Sequence, residues 1–125
     1  MDTQELYERG LALRKELFGD EAVDARMQSM GEFGVPLQHI INAYVYGDVW
    51  ARDGLDLRSR SLAMLGITAA INRPAEFRVH VQGALSNGCT PDQIREVLLL
   101  VAMYCGIPAA NDAHRIAIEV IAGMS

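Results

Sequence analysis

Glu76 and His80 stand four residues apart in the stretch Arg73-Pro74-Ala75-Glu76-Phe77-Arg78-Val79-His80. On a helix that spacing puts a carboxylate and an imidazole on one face, within reach of each other. A carboxylate so placed fixes the imidazole's tautomer and favours its charged form, and the pair can then hold and deliver a proton. Each residue also has a plainer reading. A histidine beside Phe77, Ala84 and Leu85 is ordinarily a hydrogen-bonded core residue. A glutamate in a first helical turn favours the positive end of the helix, an effect of about 0.3–1 kcal/mol when exposed.

A second group lies upstream. His39, Ala43, Tyr46 and Trp50 recur at helical spacing and are followed by Arg52. Aromatic stripes of this kind usually serve a core or a subunit contact. An arginine just beyond an aromatic wall also suits a carboxylate-bearing ligand, because its planar fork binds carboxylate bidentately. Arg58 and Arg60 read as solvated first-turn charges or an intersubunit pair. His39 and His114 have no partners at metal-ligand spacing and read as structural. Cys89 and Cys105, separated by a whole helix, form neither a CxxC pair nor a disulfide framework. Phosphate loops and nucleophile elbows are absent from the sequence.

The elements that must position these residues are helices, since no period-2 apolar run is long enough for a sheet. The first spans Thr3 to Phe18, with Leu6, Leu13 and Leu17 on one stripe and Gly19 as its stop, and a short helix follows Asp20. Pro36 opens a helix from Leu37 to about Trp50 whose apolar face, Leu37, Ile40, Ile41 and Tyr44, is expected in the core. Asp56 caps a helix through Ile71, and Asn72-Arg73-Pro74 ends it and starts the helix bearing Glu76 and His80, which runs to Asn87-Gly88. Thr90-Pro91-Asp92-Gln93 has the capping-box pattern and opens a helix over Pro91 to Cys105. A last helix from Ala109 carries the small residues Ala110, Ala113, Ala117 and Val120. No linker, low-complexity tract or repeat interrupts the chain, so residues 1–125 are expected to form a single all-α domain.

Composition narrows the partners. Half of the 125 residues are hydrophobic, high for a soluble monomer, so part of that surface is expected to meet another subunit. The net charge of -5 and the lack of any Lys/Arg cluster argue against nucleic acid or an anionic membrane. A small molecule is the expected ligand. The longest apolar runs, Leu62 to Ile71 and Val97 to Cys105, are too short to span a bilayer and no basic, apolar leader opens the chain, so a cytoplasmic protein is expected.

These residues resemble the carboxymuconolactone decarboxylase family, within the AhpD-like superfamily. The similarity rests on Glu76-x-x-x-His80, on Asn87 through Leu99, on Tyr104 through Asn111, on Tyr46-Gly47-Asp48-Val49-Trp50-Ala51-Arg52 through Asp56, on Arg58-Ser59-Arg60-Ser61-Leu62 and on Arg14 through Asp24, and covers roughly residues 5 to 121. It implies an AhpD-like helical bundle assembled as a homotrimer or homohexamer. It implies cofactor-free decarboxylation of 4-carboxymuconolactone to the enol-lactone of 3-oxoadipate in aromatic-acid (protocatechuate) catabolism. In that reading Glu76 and His80 are catalytic, and Arg52, Trp50 and Tyr46 bind a small carboxylated lactone. Four positions depart from related patterns. The peroxidase branch carries CxxC three residues before its histidine, where this chain has Arg73 and Glu76, and thiol chemistry thereby loses its agent. Ser61 replaces a glutamate found in that branch, and Gln82 replaces an arginine common after the histidine. The alternatives are another cofactor-free lyase or isomerase, a peroxide-handling member, or a non-catalytic oligomeric binding module.

Overall fold

Asp2 begins the first helix in the computed structural model, which describes residues 1–124: its carboxylate accepts the backbone N–H of Glu5 at 2.8 Å. That cap satisfies one of the orphan donors of the helix end. Helix α1 (Thr3–Phe18) ends at Gly19, whose φ of 91° is open to glycine and whose N–H closes onto the Lys15 carbonyl. Helix α2 (Asp20–Met30) and the short α3 (Val35–Ile40) follow, and from Ile41 to Trp50 the backbone continues as a π-helix. The second half holds α4 (Leu57–Ala70), α5 (Pro74–Ser86), α6 (Pro91–Cys105) and α7 (Ile107–Gly123). No strand occurs among the described residues, as the sequence pattern predicts. The chain groups into two units, Met1–Leu55 and Asp56–Ser125.

In the first unit α1 lies against the π-helical segment at glycine distance. A Cβ added to Gly10 would fall 1.6 Å from the Asn42 carbonyl oxygen, and one added to Gly47 would fall 2.1 Å from that of Leu6. Two glycines facing each other's backbones therefore set the separation. Arg9 ties the same crossing by donating from Nε to the Gly47 carbonyl at 2.8 Å.

The expected inward face of this region is corrected by the structure. Leu37, Ile40 and Tyr44 are exposed and Ile41 only half-buried, whereas Gln38, Asn42, Tyr46 and Trp50 are buried. Those four residues repeat every four positions. A repeat of four lies between the 3.6-residue α turn and the wider π turn, so a segment passing from one winding to the other keeps them on one side. A reading at constant α period selects the neighbouring stripe instead.

In the second unit local chemistry sets the helix ends. The Asp56 carboxylate accepts the Ser59 N–H at 2.7 Å. Thr90 and Gln93 form the reciprocal capping box, with bonds of 3.1 and 2.9 Å. Between α4 and α5 the chain turns at Asn72, whose φ of 57° is a left-handed conformation asparagine tolerates. Pro74 then opens α5 where its missing N–H is not needed. Helix α7 begins at Ile107, two residues earlier than expected, because Gly106 supplies a φ of 101° before it and Pro108 fits the first turn.

The core of this unit joins Leu65 of α4, Phe77 and Val81 of α5, Ile94 and Leu98 of α6, and Ala113 and Ala117 of α7. Each large side chain withdrawn from water there contributes about 1.5–3 kcal/mol. The alanines of α7 face inward as their spacing implies. No helix among the described residues is long and apolar enough to cross a membrane.

Candidate active site

Helix α5 carries both Glu76 and His80. His80 is 6% exposed and lies on the side of the helix that also buries Phe77 and Ala84. Glu76 stands one turn earlier, in the first turn of α5, and is exposed. The helix thus holds the imidazole against the apolar side and leaves the carboxylate at the wet rim. Burial restricts the imidazole's rotamers.

The upstream group is brought together within the first unit. Tyr46 and Trp50 stack with ring centroids 5.6 Å apart, and Phe18 meets Tyr46 edge-on at 5.8 Å. The Arg14 guanidinium lies 5.8 Å from the Tyr46 ring centroid, within cation–π range. Arg14 is 4% exposed, and its Nη1 donates to Gln38 Oε1 at 2.8 Å and to Asn42 Oδ1 at 3.0 Å. Hydrogen bonds of this kind make a buried guanidinium tolerable. The sequence reading overlooked Arg14, Gln38 and Asn42 as a unit. Its signal was Arg14 standing four residues after Gly10 on the inward stripe of α1, and the four-residue step from Gln38 to Asn42.

Arg52 follows the π-helical segment and differs from these buried groups. Its side chain is 68% exposed, with Nη1 3.8 Å from Asp48 Oδ1. An exposed pair at that distance contributes little to stability, and the guanidinium is presented at the surface. Arg58 is also exposed and lies along Gly88.

The two thiols differ in their surroundings. Cys89 is buried, its Sγ donating to the Arg58 carbonyl at 3.6 Å, and burial pushes the thiol up, away from the thiolate. Cys105 is exposed on a groove between α4 and α6, about 460 Å³ in volume and walled by Leu62, Gly66, Val97 and Leu100. His114 bonds through Nδ1 to the Ala110 carbonyl at 2.7 Å, and His39 stacks on Tyr7 at 5.5 Å. Each histidine thus has a contact within its own unit. Among the described residues no three His, Cys, Asp or Glu side chains gather as metal ligands.

An all-helical protein with a carboxylate–histidine turn on a buried-face helix, and without a CxxC pair, is what the described residues build. The sequence profile of the carboxymuconolactone decarboxylase family matches residues 36–119. The chain belongs to that family, and the matched stretch begins in the first unit and ends in the second. It is 33% identical to 4-carboxymuconolactone decarboxylase of Acinetobacter baylyi, over 96% of this chain and 90% of that one. It is 37% identical to nitrosuccinic acid decarboxylase of Metarhizium robertsii, over 86% of this chain and 76% of that one.

Proposed function

We propose that the protein is a carboxy-lyase that converts 4-carboxymuconolactone to the enol-lactone of 3-oxoadipate, with Glu76 and His80 handling the proton, as a cytoplasmic step of aromatic-acid catabolism. The observation that carries this reading is the buried His80 one turn after Glu76 on α5, in a chain similar over nearly its full length to a decarboxylase of that name.

The substrate supplies its own electron sink. When the bond from the γ-carbon to CO₂ breaks, the electron pair conjugates into the lactone carbonyl and forms an oxyfuran-like dienolate. A proton delivered to the ring carbon beside that carbonyl completes the product. The protein's tasks are to stabilise an oxyanion and supply that proton. His80 is the proposed donor and Glu76 holds its tautomer. No cofactor enters this scheme. Arg52 is assigned the carboxylate that the product retains. Tyr46 and Trp50, packed with Phe18 and Arg14, form the rigid aromatic wall from which the Arg52 turn emerges. The direct test is incubation with enzymatically generated 4-carboxymuconolactone while CO₂ release is followed; absence of release sinks the reading.

A second substrate is supported by the relative named for nitrosuccinic acid. A nitro group takes the electron pair as a nitronate, as the lactone takes it as a dienolate, and nitrosuccinic acid also keeps a second carboxylate. The same two needs, a proton donor and a carboxylate-binding group, apply to both acids, and side-by-side CO₂ assays on the two decide between them.

We also read the protein as a homotrimer or homohexamer. Leu100, Met103, Tyr104 and Ile107 are all exposed at the end of α6 and the start of α7, beside the apolar α4/α6 groove. Contiguous apolar surface of this kind is typical of subunit contacts.

Arg52 separates a substrate contact from an interface brace. Arg52→Lys keeps the charge and loses the fork, and Arg52→Ala loses both, so kcat/KM is expected to fall in two graded steps, by roughly tenfold and then roughly a hundredfold. For a substrate contact, melting temperature and molecular mass in solution are expected to stay at wild-type values while kinetics fall. Unchanged kinetics in an intact Arg52→Ala assembly remove Arg52 from the site.

A further inference from the structure

The first unit has a helical face that carries neither charge nor cover. Between Glu32 and Asp48 the chain has no Asp, Glu, Lys or Arg. On the side away from the buried Gln38, Asn42, Tyr46 and Trp50, the residues Leu37, Ile40, Tyr44, Val45 and Val49 are exposed. Phe33 stands at the start of this stripe with its side chain fully exposed.

The second unit has a bare face of a different shape. No charged residue occurs between Arg60 and Arg73 or between Glu96 and Asp112, and those two stretches supply the walls of the α4/α6 groove. Ile67, Leu100, Met103, Tyr104 and Ile107 are exposed on or beside its walls. Its lining includes Ala63 and Gly66, and a Cβ added to Gly66 would meet only Val97, at 3.7 Å. Small residues there keep the groove open to a side chain from outside.

Shape and area both point to one occupant. A stripe on a helix is convex, whereas the groove is a concavity of about 460 Å³. Two stripes in contact leave the groove empty, and two grooves in contact enclose a void, which close packing disfavours. Only stripe against groove fills it. The fractional exposures on each face add up to between three and four whole side chains. At about 200 Å² apiece that is roughly 700 Å² on each side, close to the ~800 Å² per partner of a standard interface. The net charge of -5 disfavours an anionic lipid surface as the cover.

We propose that the Phe33-to-Val49 stripe of each copy lies in the α4/α6 groove of the next, so that the protein closes as a head-to-tail ring. A patch that fits a pocket elsewhere on the same molecule makes a heterologous contact, and such contacts close into rings or run on as filaments. The inference rests on the homo-oligomeric reading above and names the two surfaces that carry it. It is independent of the decarboxylase chemistry.

The test follows the mass of the full chain in solution by light scattering. Ile40→Glu spoils the stripe and leaves the groove, and Leu100→Glu does the reverse. Both positions are exposed, so helical content is expected to stay at the wild-type level. Each variant alone is expected to fall to about a third of the wild-type mass. An equal mixture regains one sound contact, the stripe of the Leu100→Glu copy in the groove of the Ile40→Glu copy, and its mass is expected to double. Cys105 lines the groove and is exposed, so copper-catalysed oxidation of a Leu37→Cys variant is expected to join chains into dimers and trimers. Those bands are expected to vanish on adding Cys105→Ser. A monomeric wild-type protein overturns the oligomeric reading itself and the ring with it. The ring alone is overturned if the wild type is oligomeric but the single variants keep its mass, if the mixed variants stay apart, or if Leu37→Cys forms only a bridge within one chain.

Discussion

Replacing His80 with glutamine is expected to lower kcat for CO₂ release by about 10²–10⁴-fold while the protein stays folded. The amide keeps a polar group of useful length at a buried position but cannot carry a proton between donor and acceptor states. Glutamine is preferred to alanine because His80 is buried beside Phe77 and Ala84. Truncation to alanine would leave a void and cost stability of about 1–3 kcal/mol, confusing a chemical loss with a structural one. Glu76→Gln is expected to fall less far, because it removes the orienting charge and leaves the imidazole. If Glu76 served only the helix end, its substitution would shift melting slightly and leave the rate alone. A folded His80→Gln enzyme with wild-type turnover excludes His80 from the reaction.

The second large effect is structural. Gly10→Ala is expected to destabilise the first unit by more than about 3 kcal/mol, beyond the usual range of overpacking, because the new methyl meets backbone and not a movable side chain. The contact is 1.6 Å to the Asn42 carbonyl oxygen and 2.5 Å to the Gly47 nitrogen. Relief requires α1 and the π-helical segment to separate, which pulls Arg14 away from Gln38 and Asn42. Trp50 is the chain's sole tryptophan and is buried in this unit, so its emission should shift to the red and report the loss directly. Gly54→Ala is the control. A Cβ there meets nothing within 4 Å, and stability should change by no more than about 0.5 kcal/mol. Equal melting of the Gly10→Ala and wild-type proteins would refute the account of the crossing.

Much of the architecture was legible because helix ends are decided locally. Asp56, Thr90 with Gln93, Gly19 and Pro74 act on backbone groups within a few residues, so sequence alone placed the helices they bound to within a residue or so. The pair on α5 was legible for the same reason. A four-residue separation on one helix needs no knowledge of the rest of the molecule, and it sufficed to nominate Glu76 and His80. What those residues touch, and that His80 is buried while Glu76 is not, depends on packing.

The segment from Gln38 to Trp50 shows where local reading ends. Its composition admits two inward stripes, and sequence alone favoured Leu37, Ile40, Ile41 and Tyr44 because hydrophobicity was judged at a constant α period. The tertiary structure chose Gln38, Asn42, Tyr46 and Trp50, since α1 brings Arg14 and two glycine-spaced backbones to that side. A buried guanidinium requires polar partners, and only the stripe containing Gln38 and Asn42 supplies them. The widened π turn then keeps those partners aligned. Chain-local chemistry therefore determined that this protein is helical, where its helices begin and end, and which carboxylate and imidazole share a turn. The choice of buried face and the interior role of Arg14 were decided by contacts between residues far apart in sequence, which no local pattern encodes.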